Sequence, residues 1–152
     1  AQQGDTGSFI QLYTAVYRPV YKIARMAMKN EVAAVEAVRL AVLDSYASLS
    51  SAKINTAPQF IEWFVKILCT KIRHLNKTSD IIKNEDGEDI PIRNALNQLP
   101  DIERLVFSVC SVCGCSAEKA AKLCGYTEET VGVCLTNAEV TLKAQLLSEM
   151  NN

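Results

Sequence analysis

Ser116-Ala-Glu-Lys-Ala-Ala-Lys-Leu-Cys-Gly125-Tyr-Thr-Glu-Glu-Thr-Val131 is the stretch on which the fold turns. Ser116 is placed to cap a short helix, its hydroxyl accepting from an orphan amide of the first turn. Ala120, Ala121, Leu123 and Cys124 give that helix a small apolar face. Gly125 tolerates positive φ and lets the helix stop sharply. Thr127 can cap the next helix, where Glu128 and Glu129 meet the positive end of the backbone dipole. Val131, Leu135, Ala138, Leu142 and Leu146 then recur at helical spacing. Helix, glycine turn and capped longer helix make the sequence form of a helix-turn-helix. In DNA readers of that shape the second helix lies in the major groove.

The charge of the second helix opposes that role. From Thr127 to Met150 its only cation is Lys143, set against Glu128, Glu129, Glu139 and Glu149. Helices that enter a groove neutralise phosphates with Lys or Arg.

Working outward, the 152 residues suffice for one ordinary domain or two small ones. Hydrophobic residues make up 49%, and only six Gly and four Pro interrupt them, which favours an all-α chain. No apolar run reaches bilayer length, so no membrane partner is expected. The opening Ala-Gln-Gln-Gly-Asp-Thr-Gly-Ser lacks the basic and apolar parts of a signal peptide. The expectation is a cytoplasmic protein whose six cysteines are reduced. The net charge of −1 conceals an asymmetry. Residues 1–77 hold ten basic and five acidic side chains, and the remainder holds six and twelve. Halves of opposite sign imply two modules with different partners.

The spacing predicts a first helix from Ser8 to Lys29, with Phe9, Tyr13, Val16, Val20, Ile23 and Ala27 inward. Arg18, Lys22, Arg25 and Lys29 form a parallel basic stripe, either a solvated face or a phosphate- or acid-binding one. Pro19 removes an amide and is expected to kink or split this helix. A second helix covers Glu31 to Leu49, with Val35, Val38, Val42, Tyr46 and Leu49 on its buried side. Thr56, Pro58 and Gln59 open a third helix as cap, first-turn proline and capping-box partner. It runs to about Lys77, with Phe60, Phe64, Ile67, Leu68, Ile72 and Leu75 inward. Lys66, Arg73 and Lys77 share one face, with Lys71, Trp63 and His74 close by. Cations beside an aromatic suit single-stranded nucleic acid, and the plainer role for Trp63 is core packing.

Residues 78–94 read as a linker. Asn84-Glu-Asp-Gly-Glu-Asp89 is polar, acidic and centred on glycine. A calcium loop is excluded there: aligned on Gly87, its end ligands would be Ile82 and Arg93, and neither coordinates calcium. Ala95–Leu99 is a short helical piece before Pro100, and Asp101 to Cys113 is another helix. Cys110, Cys113, Cys115, Cys124 and Cys134 fit no familiar zinc or iron–sulfur spacing. Cys110, Cys124 and Cys134 instead fall where a packed helix buries thiols. One histidine, no glycine-rich phosphate loop and no convergent carboxylate pair leave no enzymatic site to assemble, and no cofactor is expected.

Several short motifs occur in a telling order. They are Leu12-Tyr-Thr-Ala-Val-Tyr-Arg-Pro-Val-Tyr-Lys-Ile-Ala24, Asn30-Glu-Val-Ala-Ala-Val-Glu-Ala-Val-Arg-Leu-Ala-Val-Leu43 and Phe60-Ile-Glu-Trp63-Phe-Val-Lys-Ile67, followed by Ala95-Leu-Asn-Gln-Leu99-Pro100 and Leu123-Cys-Gly125 with Thr130-Val131. Over residues 9–147 this order resembles the small two-domain bacterial sigma factors of the extracytoplasmic-function class. The resemblance implies two helical domains, 8–77 and 95–150, on an acidic linker, the second with a helix-turn-helix. It implies RNA polymerase core as a partner, bound through the second helix with Glu36 and Arg39. It also implies promoter DNA, with Lys66, Lys71, Arg73 and Lys77 facing it. An anti-sigma factor or a second copy of the chain is the remaining expected partner. This sequence departs from the pattern in a consistent way. Ala33, Val35 and Leu40 replace carboxylates, and Arg39 replaces Gln. Thr70 and His74 stand where the family has Asn and Asp. Gly132, Cys134, Asn137 and Glu139 occupy places usually held by Lys or Arg. The expectation is a transcription-initiation protein with weakened DNA reading by its second domain. The alternatives are a sigma-shaped interaction module that no longer binds DNA, and a thiol or metal sensor built on either.

Overall fold

The computed structural model describes residues 6–52, 54–78 and 93–150, and these are all-α. Seven helices follow in order among them: α1 (Thr6–Ala27), α2 (Glu31–Ser48), α3 (Ala57–Thr78), α4 (Arg93–Asn97), α5 (Asp101–Cys113), α6 (Ala117–Cys124) and α7 (Glu128–Met150). A single 3-10 turn, Leu49–Ser51, closes α2. The acidic run Asn84–Asp89 lies outside the described residues, and α4 opens at Arg93, within the segment expected to be linker.

The first three helices pack around an aromatic centre. Phe9, Val16, Val20, Ile23 and Ala27 of α1 are buried, as are Phe60, Phe64, Leu68, Ile72 and Leu75 of α3. Phe9 meets Phe60 edge-on at 6.0 Å between ring centroids, and Trp63 lies 5.9 Å from Phe60, half-buried against the same core. Each such aromatic, fully buried, stabilises the fold by roughly 2–3 kcal/mol. Pro19 does not split α1, which runs through it unbroken. The bond it forfeits is to the carbonyl of Ala15, a residue on the exposed side, where water can take over.

The buried side of α2 differs from the expectation. Its inward face is Ala33, Ala34, Ala37, Val38, Ala41 and Ser45, while Val35 and Tyr46 are 48% and 40% exposed. The phenylalanines of α1 and α3 already fill the space between the three helices. Small side chains then let α2 approach closely. Asn30 caps it, accepting from Ala33 N at 2.7 Å.

The last four helices form the rest of the molecule, with α6 and α7 both packed on α5. The two halves touch broadly: α1 lies on α5, and α3 lies on α6. Buried arginines hold this joint. Arg104 Nε donates to the Ala27 carbonyl at 2.7 Å and Nη1 to that of Leu99 at 2.7 Å, while Nη2 pairs with Asp101 at 2.5 Å. Arg93 Nη1 donates to the Met28 carbonyl at 2.7 Å and Nη2 to that of Arg25. The carbonyls at the end of α1, which have no intrahelical donors, are thus capped by guanidinium groups from α4 and α5.

Candidate functional site

The stretch from Ser116 to Val131 takes the expected local form. Ser116 Oγ accepts from Lys119 N at 3.2 Å. Gly125 adopts φ +81° and donates to the Ala121 carbonyl at 3.0 Å. Thr127 Oγ1 accepts from Thr130 N at 3.1 Å, starting α7. The inward face of α7 is Val131, Cys134, Ala138 and Leu142. Leu135 is only partly buried, because Cys134 takes the place on the inner line that the larger leucine was expected to fill, and Leu146, near the end of α7, is 37% exposed. The outer face carries Val133, Val140 and Leu147, all more than half exposed. The one cation of α7, Lys143, pairs with Glu139 at 3.2 Å. So α7 is apolar on both sides, with acidic residues between and no free cation to offer a phosphate.

The four basic residues of α3 divide into two pairs. Lys66 and Lys77 are exposed. Lys71 Nζ pairs with Asp44 of α2 at 3.1 Å. Arg73 reaches across the joint: Nη1 donates to the Cys124 carbonyl at 3.3 Å, and its guanidinium carbon lies 4.8 Å from the centroid of the Tyr126 ring. A Cβ on Gly125 would lie 2.7 Å from Arg73 Nη1, so the glycine both turns the chain and makes room for the guanidinium. Tyr126 was not singled out in the sequence; its place directly after the turn glycine is the signal that could have found it. Arg73, Asn76, Lys77, Asp101, Ile102, Leu105 and Tyr126 line a groove of about 380 Å³ between the halves.

On α2, Arg39 donates to Glu36 through one edge of its guanidinium, Nη2 to Oε1 at 2.6 Å and Nε to Oε2 at 2.8 Å. Arg39's hydrogen bonds hold the Glu36 carboxyl below its ordinary value. Around this pair Val32, Val35, Leu43 and Tyr46 are exposed. The outward face of α2 is therefore apolar with one internally balanced ion pair at its middle.

Five of the six cysteines gather near the α3–α5–α6 junction. Cys69 and Cys124 are buried, close enough for each thiol to bear on the other's ionisation. Cys110 and Cys115 neighbour each other in the same way. Cys113 is exposed. Among the described residues no group of three or more His, Cys, Asp or Glu side chains is placed to hold a metal ion. No described helix is long and apolar enough to cross a membrane.

The all-α fold is shared with solved structures that include a sigma factor. The chain superposes on CnrH, from its complex with the cytosolic domain of CnrY, with a TM-score of 0.73 at 20% identity, covering 97% of this chain and 92% of that one. It superposes on the sigma factor RpoE, solved with the anti-sigma factor NepR from Bartonella quintana, with a TM-score of 0.74 at 19% identity, covering 93% of this chain and 98% of that one. No family model matches the chain, and no curated protein matches its sequence.

Proposed function

We propose that this chain is a non-enzymatic, cytoplasmic sigma-like protein of transcription initiation. Its first domain (8–77) binds RNA polymerase core through the outer face of α2 and meets promoter DNA through α3. Its second domain (95–150) reads DNA weakly, and an anti-sigma factor regulates it. The observation that carries this reading is the outer face of α2. Four large apolar side chains lie open to solvent around the Glu36–Arg39 pair, in a helix whose alanine side is already buried. Such a patch marks a protein interface. The likeness to two chains solved with CnrY and with the anti-sigma factor NepR supports the regulator as a partner.

On α3, Lys66 and Lys77 provide the immediate phosphate contacts. Lys71 and Arg73 join only when Asp44 and the Cys124 carbonyl release them. On α7 the missing cations remove the bidentate contacts that discriminate bases, each worth about 1–3 kcal/mol. Gel filtration of the purified chain with bacterial core RNA polymerase tests the reading. Co-elution at moderate salt is expected, and separate elution even at low salt would overturn it.

A second reading, a sigma-shaped interaction module that no longer touches DNA, is favoured by the outer face of α7. Val133, Val140 and Leu147 make that face apolar where a groove-binding helix is cationic. Duplex DNA binding with a steep salt dependence would exclude it.

A further inference from the structure

Cys69 and Cys124 belong to different halves of the molecule. Cys69 lies midway along α3, and Cys124 is the last residue of α6. Both are 1% exposed and share one apolar cluster. Arg73 stands one turn beyond Cys69 on α3 and donates to the carbonyl of Cys124 itself, so both side chains of this turn of α3 end on the same residue of α6. The two thiols are also close enough to bear on each other's ionisation. Nothing in the proposed function uses this pair.

We propose that Cys69 and Cys124 form a disulfide when a hydroperoxide reaches them, and that this bond fastens α1–α3 to α4–α7. A groove of about 350 Å³ lies on the same joint, lined by Pro19, Pro58, Val65, Cys113, Cys115 and Leu123 among others. Neither Cys69 nor Cys124 lines it, so a hydroperoxide reaches them when the joint opens locally. Val65 is one turn before Cys69, and Leu123 adjoins Cys124.

The two sulfurs are not equivalent. Arg73 ends on Cys124, its Nη1 donating to that residue's carbonyl at 3.3 Å, and a guanidinium beside a thiol favours the thiolate. Cys124 is therefore the nucleophile. Its thiolate attacks one peroxide oxygen, and the O–O bond breaks. Cys124 becomes a sulfenic acid, and the other oxygen leaves as an alcohol, or as water from hydrogen peroxide, taking up the thiol proton. Cys69 sulfur then attacks the Cys124 sulfur, the S–O bond breaks, and hydroxide leaves with the Cys69 proton as water. In sum two thiols and one hydroperoxide give one disulfide, one alcohol and one water.

The consequence is mechanical. With the bond made, the halves cannot part, and Arg73 stays on Cys124 and Tyr126. The Cys110–Cys115 pair lies within one half, so its oxidation leaves the joint free. This inference does not depend on the sigma-like reading.

The test uses the wild-type chain. It is treated with hydrogen peroxide, and remaining thiols are alkylated under denaturing conditions. Trypsin digestion without reductant follows. The expected product joins Ile67–Lys71 to Leu123–Lys143, with fragmentation placing the bond on Cys124 rather than Cys134. Hydrogen exchange then reads the joint. Opening around residues 69–73 and 121–126 slows by on the order of a hundredfold on oxidation, as for a cross-link that restricts the open state. Dithiothreitol reverses the change, and Cys69→Ala does not show it. Oxidation confined to Leu105–Lys119, with Cys69 and Cys124 still alkylated, overturns the proposal. So does a joined pair of peptides with unchanged exchange.

Discussion

Arg104 Nε lies 2.7 Å from the carbonyl oxygen of Ala27, a bond between residues 77 positions apart. Arg104 is 1% exposed, and its guanidinium is spread over two carbonyls and one carboxylate. Arg104→Met keeps much of the packing but leaves buried acceptors without donors. Its expected cost is about 3 kcal/mol of unfolding free energy, since bonds from charged donors contribute most when buried. Denaturant midpoints measure this. A loss under about 1 kcal/mol would mean that water replaces the guanidinium.

The two left-handed glycines should respond differently to a methyl group. Gly114 has φ +60° with open space around the added atom, so Gly114→Ala costs about 1 kcal/mol of backbone strain. Gly125→Ala carries the same strain and also pushes Arg73 off the Cys124 carbonyl. It should destabilise by at least as much again. Arg73→Ala in the Gly125→Ala background should erase the excess; strictly additive losses would refute the coupling.

Alkaline pH should weaken the fold. Burial pushes Cys110 up to about 12 and Cys113 up to about 11. Cys69, Cys115 and Cys134 are also raised, and only Cys124 is lowered. A thiol whose folded value exceeds its unfolded value, about 8.5, holds its full stabilisation below that pH. It loses it as pH rises through the folded value. Cys124 works in the opposite sense but is outnumbered. The urea midpoint should therefore be lower at about pH 10.5 than at about pH 7.5, and Cys110→Ala should narrow the difference. An unchanged midpoint would show that the thiols reach solvent before the chain unfolds.

Val35→Glu and Leu43→Glu change only the exposed face of α2. Stability should stay within about 0.5 kcal/mol, as for surface substitutions generally. Binding to core polymerase should fall by about tenfold or more, as when a charge is buried in an apolar contact. Surface plasmon resonance on immobilised core enzyme decides this, and equal affinity for both variants would remove α2 from the interface.

Lys66→Ala and Lys77→Ala should weaken DNA binding at once and lower its salt dependence by about one unit each. Lys71→Ala should do less, because Asp44 already holds that ammonium. Fluorescence anisotropy over a salt series separates the cases.

Much of this architecture was legible in the sequence. The inward lines of α1 and α3, and the caps at Ser116, Thr56 and Thr127, are local matters. Gln59 N donates to Thr56 Oγ1 at 3.3 Å, and the Gln59 side chain accepts from Asn55 N, as a capping pattern implies. The side of α2 that faces inward was not legible. Periodicity marks large apolar residues, but alanines fit where the neighbours have filled the volume. Nor could the sequence show Arg93, Arg104 or Arg73 at the joint. The partners that tie them across the joint are backbone carbonyls, which carry no residue-type signal, on elements distant in the chain. The nearness of Cys69 to Cys124 is hidden because α3 and α6 are far apart in the chain.

The capping of α1 by Arg93 and Arg104 bears on how the protein is made. A ribosome releases the amino end first, so α1 emerges with its last carbonyls facing water. Those groups find their donors only after residue 104 has cleared the exit tunnel. The closing turn of the first helix thus waits for side chains translated 65 to 77 residues after the carbonyls they cap.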